Sequence, residues 1–283
     1  GIGSTTNIGD GINEMGDNLQ RVDLGYGRTA LQIVSSDYSN CALLDSGLVK
    51  CWGRGNYGQL GIGSTANIGD GINEMGNNLE ISRLGTDVTA VYLEGGIGNY
   101  CAVTNNKDVK CWGHNAYGQL GIGNTTQIGD SVNEMDDSLS KIDLGSERTA
   151  ISITGSQHTC AILDNEDFKC WGRGSYGQLG IGSTTNIGDG INEMGDNLIT
   201  PELSTRYIKK IETGVYSTCA ILFDDTIRCW GYNGNGNLGI GSNTNIGDGP
   251  SEMGSNMAIT NLYLIPEDTD GDGWIDIWDN DDD

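Results

Sequence analysis

Cys41-Ala-Leu-Leu-Asp-Ser-Gly-Leu-Val-Lys-Cys51-Trp52-Gly53 decides how the rest of the chain is read. Close copies begin at Cys101, Cys160 and Cys219, offset by 60, 59 and 59 residues. All eight cysteines and four of the six tryptophans (Trp52, Trp112, Trp171, Trp230) lie in these copies. A fixed period of this length marks one supersecondary unit copied several times, whose function is read from the array. Within a copy, Cys41–Leu44 and Leu48–Trp52 flank Asp45-Ser46-Gly47, the length and chemistry of a three-residue hairpin loop. Folding about residue 46 brings Cys41 opposite Cys51, at disulfide reach. The same register pairs Cys101 with Cys111, Cys160 with Cys170 and Cys219 with Cys229. Zinc binding is the rival reading, but zinc cysteines usually stand two to four residues apart. Each closed loop removes roughly 2.5–3 kcal/mol of unfolded-state entropy. Disulfides imply an oxidising compartment, hence a secreted or cell-surface protein.

Around the hairpin each cycle adds three parts. Before it comes an alternating, β-branched run such as Arg28–Val34, the pattern of a half-buried strand. After it comes Gly-x-x-x-Tyr-Gly-Gln-Leu-Gly-Ile-Gly at 53–63, 113–123 and 172–182; the copy at 231–241 lacks the Tyr and Gln. Last is a loop resembling Ser-Thr-Thr-Asn-Ile-Gly-Asp-Gly-Ile-Asn-Glu-Met-Gly-Asp-Asn-Leu, then a short strand such as Val22–Leu24. No sustained 3.6-residue apolar period occurs, so the array is all-β. The 46 glycines suit short strands joined by tight turns. We read residues 1–265 as repeats, about four 59-residue blades plus a partial one, and 266–283 as an acidic tail. Gly1 falls inside a repeat, which predicts that the chain is a piece of something longer.

These residues resemble repeats of the regulator of chromosome condensation family, in particular the cysteine-bearing version of extracellular proteins. The resemblance covers about 1–265 and implies a β-propeller with one four-stranded blade per repeat. The family's usual ring of about seven blades needs roughly 410 residues at this period. A ring of 283 residues is therefore incomplete, unusually small, or closed by a neighbouring chain. The nuclear member's nucleotide exchange on a small GTPase is not carried over, because no exchange-specific motif is matched.

The net charge of −24 repels phosphate backbones, which excludes nucleic acid and anionic membrane as partners. No apolar stretch is long enough to span a bilayer. Nothing assembles a catalytic site. Gly53-Arg-Gly-Asn-Tyr-Gly58 spells a dinucleotide fingerprint, but no helix follows to present its N–H groups. His114 and His158 stand without a second histidine or a free thiol. Each loop repeats an acidic pair: Asp10/Glu14, Asp70/Glu74, Asp130/Glu134, Asp189/Glu193 and Asp248/Glu252. A structural turn is the simplest reading, weak calcium or partner binding the alternative; repetition argues against an active site. Met15, Met75, Met135, Met194 and Met253 beside them read as core plugs.

The tail reads as a calcium loop. Asp268, Asp270, Asp272, Asp276 and Asp279 fall at loop positions 1, 3, 5, 9 and 12, Gly273 at position 6, and Trp274 offers its carbonyl at position 7. The segment resembles thrombospondin type 3 or EF-hand-like calcium motifs. Asn124-Thr-Thr126 is a lone glycosylation sequon.

The expectation is a non-enzymatic, secreted or cell-surface β-propeller-type repeat protein, stabilised by Ca2+. Its role is structural or adhesive in an extracellular assembly or filament, with chains joining end to end or meeting another extracellular protein. The alternative is a soluble module binding a protein or glycan through its loops, of which 131–138 and 232–237 diverge most.

Overall fold

The computed structural model describes residues 1–203 and 208–260. The calcium-type loop at 268–279 lies outside the described residues. Among the described residues, thirteen strands fall into four antiparallel sheets, one per repeat. Strands β1 (Ala30–Ser35), β2 (Ser39–Leu44), β3 (Val49–Gly53) and β4 (Ile81–Ser82) form the first. The second contains β5 (Ala90–Gly95), β6 (Asn99–Thr104) and β7 (Val109–Gly113). The third contains β8 (Ala150–Gly155), β9 (His158–Leu163) and β10 (Phe168–Gly172). The fourth contains β11 (Ile208–Thr213), β12 (Ser217–Leu222) and β13 (Ile227–Gly231). Successive sheets pack face to face, the first strand of each meeting strands of the one before. The only helices among the described residues are single 3-10 turns such as Gly16–Asn18.

The central hairpin folds as its residues dictate. Leu44 N–H donates to Leu48 O and Gly47 N–H to Leu44 O, both at 2.9 Å, closing a three-residue loop. Gly47 sits at φ 76°, the left-handed corner such a loop needs. Lys107, Glu166 and Asp225 take the same corner in the later repeats, at φ 63°, 68° and 65°.

Two features depart from the expected pattern. The alternation read over 28–34 is broken by a bulge between Ala30 and Gln32, repeated between Ala90 and Tyr92, Ala150 and Ser152, and Ile208 and Lys210. The extra residue turns outward, so Leu31, Val91 and Ile151 are exposed. Among the described residues the expected fourth strand is a ladder only at β4, where Ser82 pairs with Val49. Elsewhere it shrinks to single bonds, Ile142 N–H to Val109 O at 2.8 Å and Thr260 N–H to Ile227 O at 3.0 Å. In the third repeat the matching residue is Pro201, which has no N–H to donate. Val22–Leu24 is likewise irregular, held through Asp23, whose carbonyl accepts Gly76 N–H.

The core lies between sheets rather than within one. Cys41, Cys51, Leu43 and Val49 of the first sheet cluster with Leu93, Tyr100 and Trp112 of the second. Cys101, Cys111 and Val109 meet Ile153 and Trp171 of the third, and Cys160, Cys170 and Phe168 meet Ile211 and Trp230 of the fourth.

Candidate functional site

The eight cysteines form four disulfides, Cys41–Cys51, Cys101–Cys111, Cys160–Cys170 and Cys219–Cys229, each joining residues directly opposite in a hairpin. They are structural staples, and such bonds are consistent with an oxidising environment. Among the described residues no helix is long and apolar enough to cross a membrane.

The repeated acids are occupied as turn caps. Glu14 Oε2 accepts Gly9 N–H at 2.8 Å and Gly11 N–H at 2.7 Å. Glu74, Glu134, Glu193 and Glu252 repeat the pair of bonds at 2.7–3.0 Å. These backbone donors hold Glu14 and Glu74 below the usual carboxylate range. No group of three or more His, Cys, Asp or Glu converges as for a metal ion among the described residues. Met135, Met194 and Met253 close the joints between repeats, their methyl groups lying against Gly61, Gly121 and Gly180.

His158 is fully buried, with Nε2 2.7 Å from Thr218 Oγ1. That hydroxyl already donates to Gln178 O at 2.8 Å, so Nε2 carries the imidazole proton. Burial pushes His158 down to about 3, which keeps it neutral. It ties the third repeat to the fourth. The fingerprint-like glycines are likewise packing devices. A Cβ on Gly58 would fall 2.3 Å from Asp130 N, and one on Gly118 or Gly177 would meet Asp189 or Asp248 as closely.

One arrangement is only faintly marked in the linear sequence. The residue after each Trp-Gly pair, namely Arg54, His114, Arg173 and Tyr232, inserts among tyrosines of its own and neighbouring repeats. Arg54 lies 5.5 Å from the ring centroids of both Tyr38 and Tyr57. Tyr57 is 4.6 Å from His114, which meets Tyr117 edge-on at 6.4 Å. Arg173 covers Tyr117 at 4.8 Å, Tyr216 at 4.9 Å and Tyr176 at 5.7 Å. Tyr176 touches Tyr216 and Tyr232, each at 5.1 Å. The result is a continuous belt of tyrosines, with Arg54, His114 and Arg173 set among them, running through all four repeats. Its members are half-buried, except Tyr38, which is 70% exposed. Among the described residues neither Arg54 nor Arg173 forms an ion pair with a carboxylate. His114 Nδ1 lies 3.0 Å from Gln119 Nε2, and burial lowers its pKa against the opposing pull of Asp37. Tyr57, Tyr117 and Tyr176 belong to the recurring Tyr-Gly-Gln-Leu-Gly signature, which is the one sequence signal that pointed to the belt.

Of the divergent loops, 232–237 contributes Tyr232 to the belt, whereas 131–138 lies on a rim. On that rim a groove of about 710 Å³ runs between the second and third repeats, lined by Ile122, Asn124, Leu139, Lys141, Ile191 and Met194 among others.

The model of the regulator of chromosome condensation (RCC1) repeat matches at 31–59, 91–119, 149–178 and 208–237, once per sheet. Each of the four sheets thus contains a stretch similar to an RCC1 repeat. Among curated proteins, it is 28% identical over 219 residues to the ultraviolet-B receptor UVR8 of Arabidopsis thaliana, covering 75% of this chain and 44% of the receptor. It is 30% identical over 216 residues to the probable E3 ubiquitin-protein ligase HERC4 of Homo sapiens, covering 76% of this chain and 18% of the ligase. Among solved structures, yeast RCC1 (Prp20) bound to Kap60 superposes with a TM-score of 0.65 at 18% identity, over 87% of this chain and 52% of that one. Human WBSCR16 gives 0.57 at 19% identity, over 82% of this chain and 52% of that one. The chain therefore spans about half or less of each relative, and its four sheets share the β-propeller fold of these structures.

Proposed function

We propose that this array is a non-enzymatic binding module that takes a protein partner on the Tyr–Arg belt. The observation carrying this is the continuity of the belt: Arg54 and Arg173 lie over tyrosine rings with no carboxylate among the described residues to neutralise them. Tyrosine and arginine dominate binding hot spots because they bring large, rigid contact area and desolvated donors. In a chain of net charge −24 the two belt arginines offer cations suited to acidic side chains. The fold relatives support the reading, since yeast RCC1 was solved on a protein partner and Prp20p was studied for its binding to Gsp1p and histones.

The test is selection from a displayed peptide library on the intact chain. Ligands are expected to lose binding to the Arg173→Ala and Tyr117→Ala variants and keep it with Ile191→Ala on the rim. Ligands insensitive to the belt changes would contradict the assignment.

A second reading, an extracellular structural or adhesive role with calcium held by Asp268, Asp270, Asp272, Trp274, Asp276 and Asp279, is favoured by the loop spacing. Calorimetry should show one calcium site in the wild type and none after Asp270→Ala with Asp272→Ala. Identical titrations would remove it.

A further inference from the structure

Asn124 opens a turn that every repeat builds, and it is the only asparagine in that place. Ser4, Ser64, Ser183 and Ser242 hold the matching positions, each accepting the N–H two residues on at 3.0–3.4 Å. Asn124 does the same work: its Oδ1 accepts Thr126 N–H at 2.8 Å. Beyond a long bond from Asn124 Nδ2 to Ile122 O at 3.4 Å, the turn gives no reason for asparagine over serine. Asn124, Thr125 and Thr126 are all exposed. Asn115 fixes the turn from beneath, its Nδ2 donating to Asn124 O at 2.8 Å and Thr126 O at 2.9 Å. What the exchange adds is chemistry: an exposed carboxamide two residues before a threonine, in a chain stapled by four disulfides.

We propose that Asn124 is an N-glycosylation site and that its glycan stands at the mouth of the groove between the second and third repeats. The donor class is a saccharide linked through phosphate or pyrophosphate to a polyprenol lipid. The amide Nδ2 forms a bond to the anomeric carbon, and the bond from that carbon to the phosphate oxygen breaks. The lipid phosphate leaves with the electron pair, and one amide proton passes to the transferase base. No oxidant or reductant is consumed. The site stands independently of the belt, and either can fail without the other.

The chain itself supplies the controls. Ala66 occupies the Thr126 position in the preceding repeat, so Thr126→Ala keeps the turn. Ser183→Asn places an equivalent sequon one repeat later. The full chain is secreted from eukaryotic cells together with a known glycoprotein, and its glycopeptides are mapped by mass spectrometry. A glycan is expected at Asn124, lost in Thr126→Ala, retained in Thr126→Ser, and joined by a second in Ser183→Asn. Asn124 unmodified while the companion glycoprotein is occupied would overturn the proposal. So would a Ser183→Asn variant that carries its glycan at position 183 and none at Asn124.

Discussion

At the hairpin corner, three residues pay a conformational cost that glycine avoids. A side chain in the left-handed region costs about 1–2 kcal/mol, against about 0.5–1 kcal/mol for glycine's extra unfolded entropy. Lys107→Gly and Glu166→Gly should therefore each raise stability by about 0.5–1 kcal/mol in denaturant melts. Gly47→Lys should lose more than this, because its Cβ would fall 2.8 Å from Thr89 Cβ. Glu94 makes a different residue-scale prediction. Its carboxyl accepts Tyr92 OH at 3.2 Å and faces Glu212 and Lys210 of the fourth sheet. Burial foremost, and then Glu212, push it up to about 7. A raised carboxyl pKa stabilises the fold fully below the ordinary value and loses that contribution as pH rises through 7. Glu94→Gln, neutral throughout, should gain about 1–2 kcal/mol relative to wild type between pH about 5 and about 8, allowing for solvent screening. A constant difference across that range would remove the assignment.

At the scale of elements, the joint between repeats is built from one Trp and one carbonyl. Trp112, Trp171 and Trp230 donate through Nε1 to Gln59 O, Gln119 O and Gln178 O, at 3.0, 3.1 and 2.9 Å. Gln119 O and Gln178 O receive a second donor, the hydroxyl of Thr159 or Thr218; at Gln59 O that place is taken by Tyr100, which bonds Ser39 instead. Trp112→Phe should therefore cost about 1 kcal/mol more than Trp171→Phe, since only it leaves a buried carbonyl unpaired. Replacing Cys101 and Cys111 by alanine should cost about 2.5–3 kcal/mol. Hairpin, staples and buried Trp were all legible in the sequence, because their geometry depends on residues within a dozen positions of one another. The bulge was not, since Leu31 looks like any member of an alternating run. Nor was the thinning of the fourth strand, although Pro201 could have announced it. The belt depends on partners about sixty residues apart, such as Tyr57 with His114 and Tyr117 with Arg173, and only the stacking of sheets brings these together.

For the whole molecule, repetition has two different consequences. In the joints it enforces sameness: the glycine after each repeated tyrosine must let the next loop approach, and each loop glutamate must cap its own turn. On the belt it permits difference, because the position after Trp-Gly is Arg, His, Arg or Tyr without disturbing the backbone beneath it. A scaffold that fixes backbone spacing while freeing one outward side chain per repeat is suited to building a recognition surface. Recognition through the belt is tested most directly by the affinity of a belt ligand for Arg173→Ala relative to the wild type, measured by titration calorimetry. Loss of Arg173, which covers three tyrosines, should weaken binding at least about tenfold, or about 1.4 kcal/mol, with the melting transition little changed. An affinity equal to that of the wild type would contradict it.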